Sequence, residues 1–255
     1  MRAILFAAMI FAGPVSASVY DGKVDWSIPS RQATSSDVVQ FILEITSGWS
    51  HTASTEKSES AKEVFLCDPS GANSEAFFRA IKDLNEVFGY EKLKGSLSGS
   101  MAVQEGQIGV YVVPYLQARH LMISHYCPQP TFNGPVDVRI WDNSAHQISR
   151  AIVLLASDRL KPGEFDFRLR RMLLSALGYG GYSTRVMDSI FYAGAPCAST
   201  MPATAGCMAE MDRAVLQFCD RYIPADSSRA DRVTALKQAW QTFLSNRSKT
   251  ASAAK

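Results

Sequence analysis

No stretch of the 255-residue sequence is apolar for long enough to cross a bilayer. The longest uninterrupted run, residues 3–12, is ten residues, against the ~20 that a spanning helix needs. An excess of one charge is also missing. Lys and Arg number 26 against 24 Asp and Glu, a formal net charge of +2, which argues against nucleic-acid and membrane-surface binders. Histidine is scarce, with four in the chain, and no C-x-x-C pair supplies a zinc-ligand spacing. Gly95-Ser96-Leu97-Ser98-Gly99 and residues 178–181 are glycine-rich. They lack the Lys or third Gly that phosphate and dinucleotide loops require, so turn formation is their expected role. No internal repeat is found, and no linker divides the chain into two domains. With 47% hydrophobic and 20% charged residues, it is neither disordered, collagenous nor a coiled coil.

What is present begins with an address. Met1-Arg2 is a short positive start, the ten-residue apolar run follows, Gly13-Pro14 breaks it, and Val15-Ser16-Ala17 is a small-residue cleavage pattern. Residues 1–17 therefore predict a signal peptide, and export to a bacterial periplasm or medium. That compartment favours disulfides. Of Cys67, Cys127, Cys197, Cys207 and Cys219, the pair Cys197 and Cys207 flanks one small-residue loop and is the disulfide candidate. Five is odd, so at least one thiol is free or pairs between chains. Cys219 lies in an apolar helical pattern and reads as core.

The remaining chain divides into an N-terminal extension with one helix (18–61), a main domain (62–224), and a C-terminal helix with a disordered tail (225–255). Helical periodicity marks residues 36–45, 75–88, 166–177, 209–222 and 230–244. Ser74 is the expected cap of the second, and Gly89 and Gly178 are stops. Strands are expected at 63–66, 90–97, 109–113, 136–141 and 148–156. Residues 120–126 read as another strand or part of a connection. Ala151-Ile152-Val153-Leu154-Leu155 is continuously apolar, as in a strand covered on both faces. The expected fold class is α/β (α+β), a single twisted mixed sheet backed by helices, with C-terminal helices. Trp240 and Phe243 on the last helix are expected in the core.

Three motifs in order carry a resemblance. The third of these helices and the residues after it read Arg171-Met172-Leu173-Leu174-Ser175-Ala176-Leu177-Gly178-Tyr179-Gly180-Gly181. Asp188-Ser189-Ile190-Phe191-Tyr192 follows, then Met211-Asp212-Arg213-Ala214-Val215-Leu216-Gln217-Phe218 leading to Tyr222-Ile223-Pro224. The series resembles the matrixin-like (metzincin) branch of the zincin peptidases, and more closely an uncharacterised family of exported proteobacterial proteins near them. The resemblance spans roughly residues 62–224. It implies a zincin-like fold with an H-E-x-x-H-x-x-G-x-x-H helix, a Met-turn and a closing helix, and places Phe191 where the Met-turn has its methionine.

At the metal positions the match fails. His at i and i+4 reach one zinc from one helix face, and the Glu beside the first takes a proton from metal-bound water. Here the two His positions hold Arg171 and Ser175, the Glu position holds Met172, and the third His position holds Gly181. A guanidinium binds no metal and repels one, Met172 has no proton to exchange, Ser175 alone is a poor ligand, and Gly181 has no side chain. Zinc-dependent hydrolysis at this place is excluded by the residue types, and no cofactor or metal is expected.

The resemblance requires Arg171 and Ser175 to line a cleft floored by the sheet edge, with Phe191 beneath; packing into a core would count against it. Arg168, Arg171 and Ser175 recur at i, i+3 and i+7, opposite the leucine stripe. They read either as a grip for a carboxylate or phosphate, or as a solvated basic face paired with Asp158, Glu164 or Asp166. The candidate binding residues are Arg168, Arg171, Met172, Ser175, Gly181 and Phe191. The expected function is binding or scaffolding of a protein or peptide partner, with neither nucleic acid nor a membrane span involved. Two alternatives stay open. One is an active exported hydrolase with a relocated or metal-free site; His120 or His125 with His146 and Asp188 is the conceivable ligand set, and a Ser-His-Asp arrangement has no positive support. The other is an accessory of a larger envelope complex.

Overall fold

The computed structural model describes residues 34–46, 61–98, 102–125, 134–142, 148–161, 163–183, 186, 189–192, 208, 210–222 and 229–253. The expected signal peptide, the Cys197/Cys207 pair, Cys127, His51, His146 and Asp188 lie outside them. The elements run α1 (Ser35–Thr46), β1 (Lys62–Cys67), α2 (Ser74–Phe88), β2 (Leu93–Leu97), β3 (Gln107–Val113), α3 (Tyr115–His125), β4 (Val136–Asp142), β5 (Ile148–Ala156), α4 (Glu164–Ala176), α5 (Glu210–Tyr222) and α6 (Arg229–Ala253). The fold is α/β, and its five strands form one mixed sheet in the order β2-β1-β3-β5-β4. All neighbours are parallel except β4, which runs antiparallel to β5 at the edge.

Alternation along the strands separates two cores. Val64, Leu66, Ile108, Val110, Val112, Val153 and Leu155 face a large core shared with α1, α2, α4, α5 and α6. Phe65, Cys67, Tyr111, Val113, Ile152 and Leu154 face a smaller one closed partly by α3. The continuous apolar run in β5 has this physical cause: the strand is interior and covered on both sides. No described helix is long and apolar enough to cross a membrane.

Local expectations changed in three places. Residues 115–125 form a helix, so the strand reading of 120–126 is corrected, and the helix lies in the connection from β3 to the antiparallel edge β4. The cap of α2 is Asn73, not Ser74; the Ser74 hydroxyl donates to Gly71 O, and the Asn73 amide to Asp68. The polar tail from Ser245 continues α6 to Ala253. Gly89 does end α2, with φ 79°, and Gly178, with φ 99°, follows α4. Both angles suit glycine. Cys67 and Cys219 are buried. Trp240 and Phe243 are buried and cluster with Phe218.

Two ion pairs tie α2 to α4, Arg170–Asp83 and Arg79–Asp166. The Arg170 side chain is 5% exposed and Asp83 is its hydrogen-bonded partner. Asp83→Ala strands that guanidinium and is expected to cost about 1–2 kcal/mol, whereas the exposed pair Glu75–Arg79 is worth only ~0.3–0.5 kcal/mol. Urea titrations of Asp83→Ala and Glu75→Ala check the ranking, and equal midpoints would refute it.

Candidate functional site

Helix α4 is buried on every side from Leu169 to Ala176, because it lies between the sheet and the helices that cover it. The expected solvated basic face is therefore corrected. Arg168 stays half-buried at the near end, paired with Glu164 at 3.7 Å, one of the partners expected for that face. One turn on, Arg171 is 2% exposed and no carboxylate lies within salt-bridge reach of it among the described residues.

Its guanidinium is held by oxygen atoms. Nη1 donates to Ser175 Oγ at 2.8 Å and Tyr179 O at 2.9 Å; Nη2 donates to Gly180 O at 3.1 Å and Gly181 O at 2.6 Å. Ser175 Oγ donates back to Arg171 O at 3.1 Å. Two rings flank the cation, Phe191 at 4.9 Å and Tyr182 at 4.5 Å, and aromatic faces attract a desolvated guanidinium. Phe191 is fully buried, while Tyr182 is 57% exposed and forms the outer surface here. Nε of Arg171 is buried without a hydrogen-bond partner. Burial lowers the pKa of the guanidinium, opposed by Tyr182 and Asp212. An arginine starts high enough to stay charged.

The segment after α4, expected as a mobile or tightly turned loop, is pinned by this cation. Three successive carbonyls turn inward to it. Ser183 N then donates to Phe191 O at 2.9 Å, joining the segment to the turn that carries Phe191. Helix α5 fixes that turn: the fully buried Asp212 carboxylate accepts from Ser189 Oγ at 2.6 Å and from Ile190 N at 2.9 Å. Ser189 Oγ in turn accepts from Phe191 N. All three motifs of the resemblance thus meet at one point.

Helix α1 closes the other side. Gly181 N donates to Ile45 O at 3.0 Å, Ser183 Oγ donates to Glu44 at 2.6 Å, and the Phe41 ring meets Phe191 edge-on at 5.9 Å. A Cβ at Gly181 would fall on the carbonyl oxygen of Glu44.

Arg171, Ser175, Gly181 and Phe191 are brought together, with Phe191 packed on the guanidinium as expected. They do not line an open cleft: all four are buried, as is Met172, which packs in the large core. That burial counts against the resemblance on its own criterion and removes these residues as a free grip for a carboxylate or phosphate. The donor set also does not fit a zinc ion, since a cation fills the middle of it and backbone occupies the place of a third ligand. Among the described residues no cluster of three His, Cys, Asp or Glu could hold a metal; His120 is exposed on α3. Tyr182, Glu44 and Asp212 were not singled out from sequence. Asp212 stood inside a quoted motif, and the two tyrosines bracketing Gly180-Gly181 were the signal for Tyr182.

No family model matches the chain, and neither a curated protein nor a solved structure is detectably similar to it.

Proposed function

We propose that the chain is an exported, non-catalytic protein, zincin-like in the order of its motifs but without the open cleft, that acts as a binding or scaffolding module for a protein or peptide partner. One observation carries the reading: a permanently charged guanidinium sits at the junction of the three motifs, its two terminal nitrogens held by one hydroxyl and three carbonyls. A peptidase of this type needs a metal, an ionisable base and an open approach there. The order of the elements supports the reading too, a sheet followed by the motif helix, the turn and a closing helix. The accessible part of the locality is the Tyr182 ring, with half-buried Arg168 one turn along α4 and the edge strand β4 beyond the sheet core. An aromatic ring and a sheet-edge strand are common elements of peptide recognition.

Metal content of residues 18–255, purified without a histidine tag, tests this against the relocated-hydrolase alternative. A ligand that binds only the folded state raises its melting temperature. The expected result is far less than one equivalent of any transition metal, the same melt with zinc or chelator, and no peptide cleavage. Stoichiometric zinc with chelator-sensitive cleavage would overturn it and direct attention to His120, His125 and His146.

A further inference from the structure

Strand β2 ends the sheet, and only one of its two hydrogen-bonding edges faces another strand. Its register sets Lys62 against Leu93 and Leu66 against Leu97. The terminal bonds of the ladder, Lys62 N to Lys92 O and Ser98 N to Leu66 O, show which residues turn inward. Lys92, Lys94, Ser96 and Ser98 present their backbone groups to β1, and Leu93, Gly95 and Leu97 present theirs outward. At Leu93 a side chain closes this outer edge. Asn85 Oδ1 accepts from Leu93 N at 2.9 Å and Asn85 Nδ2 donates to Leu93 O at 2.8 Å, as a neighbouring strand would. Among the described residues nothing pairs with the outward groups of Gly95 and Leu97. A proline or a bulge is a common guard on such an edge. β2 has neither, and its one charged residue, Lys94, sits opposite Glu63 of β1.

The side chains at the two open positions form a step. Leu97 is 58% exposed and shares the large-core face with its neighbour Leu66. Two residues back on that face Gly95 has no side chain, and the exposed Phe78 ring lies 3.2 Å from where a Cβ would stand. A knob and a notch two residues apart on one strand are self-complementary, as a two-fold interface requires. With a second copy antiparallel and Ser96 on the axis, Gly95 of each copy faces Leu97 of the other. Each such pair exchanges two bonds, so both open residues of both copies are satisfied. Leu97 then lies beside the other copy's Gly95 and covers its Phe78. Lys94 falls opposite Ser98, so no like charges oppose each other on the paired strands. Asn85 pins the register, because a slip that puts Gly95 on Gly95 sets Leu97 against the occupied edge of Leu93. A peptide would meet two open residues once, whereas a second copy makes every contact twice.

We propose that two copies of the chain pair through β2, antiparallel about Ser96, and continue the five-stranded sheet across a two-fold axis. The interface uses no residue of the Tyr182 locality, and it holds whatever that locality binds.

Analytical ultracentrifugation of the full chain at about 1–100 μM, a range that reads dissociation constants near ~1 μM, should show a monomer–dimer equilibrium. Leu97→Pro removes the outward N–H and the knob but no bond to β1, and proline is tolerated on an edge strand. It should raise the dissociation constant at least about tenfold with the circular dichroism unchanged. Leu97→Lys leaves the backbone intact and should weaken the dimer in the same way. Cysteine trapping reads the register. Ser96 and its copy form a non-hydrogen-bonded pair with Cα atoms ~4.5 Å apart, within the ~4.4–6.8 Å span of a disulfide. Ser96→Cys should therefore cross-link on mild oxidation, with position 96 identified by peptide mapping. Lys94→Cys, ~13 Å from its copy, should not. A chain that is monomeric throughout the range overturns the proposal and leaves the edge to an extended segment of another protein. A dimer indifferent to both Leu97 substitutions, or one that traps at 94 and not at 96, also overturns it, since its interface then lies elsewhere.

Discussion

Arg171→Met should lose about 3–5 kcal/mol of unfolding free energy. Methionine fills most of the aliphatic volume, so the loss is not a cavity effect. It comes from the acceptors left behind. Ser175 Oγ and the carbonyls of residues 179, 180 and 181 each lose a charged donor at 2.6–3.1 Å, and hydrogen bonds to charged groups are worth about 1.5–3 kcal/mol each. The relief of no longer desolvating a guanidinium offsets part of that sum. The two aromatic contacts on the cation disappear as well. Arg171→Lys should recover less than half, since one ammonium cannot span acceptors now shared between two nitrogens. Urea titration followed by tryptophan fluorescence measures both. A Met variant within about 1 kcal/mol of wild type would mean that the 179–181 segment is held by its own backbone and that the guanidinium is incidental.

The sheet was readable because its physics is local. Alternation, apolar runs and glycine stops mark β1, β3, β4, β5, α2 and α4 to within a few residues, and the unbroken apolar run of β5 announces an interior strand. Residues 115–125 misled because they have almost no amphipathic period; their helix is fixed by one-sided packing of Ala118 and Leu121 on the smaller core. Arg171 misled for a different reason. Read by residue type, two arginines opposite a leucine stripe are a wet face. The partners that let one of them be buried are backbone carbonyls eight to ten residues downstream, and carbonyls carry no sequence signature. The motifs showed that residues 171, 175, 181 and 191 belong together. They could not show that a helix from residues 35–46 would lie over them, because that contact joins segments more than a hundred residues apart.

Gly181→Ala should cost about 2–4 kcal/mol, far more than an exposed glycine replacement. The backbone angle is not the cause, for no positive φ occurs at this residue. The cause is the neighbour: the added carbon falls on the Glu44 carbonyl, 2.9 Å from its carbon and 2.9 Å from Ile45 Cα. These are backbone atoms of a helix, which cannot rotate away. Either α1 shifts or the 179–183 segment does, and both movements break the Gly181 N–H bond to Ile45 O. Overpacking of this kind costs about 1–3 kcal/mol and the lost bond about 1 kcal/mol more. Gly95→Ala is the matched control. Its added carbon meets ring atoms of Phe77 and Phe78 at 3.2 Å; Phe78 is exposed and can turn, Phe77 is fully buried and must shift by a few tenths of an ångström, so the expected cost is about 1 kcal/mol, below that of a clash with helix backbone. Thermal and urea unfolding of the two variants side by side give the comparison; equal losses would show that α1 yields as easily as a surface ring. The same geometry bears on the resemblance. Position 181 is where a zincin helix motif would bring its third histidine. In this chain that imidazole would need the space that the last turn of α1 occupies, so regaining a ligand there requires expelling α1. Seating of α1 and a three-histidine metal site are mutually exclusive at Gly181.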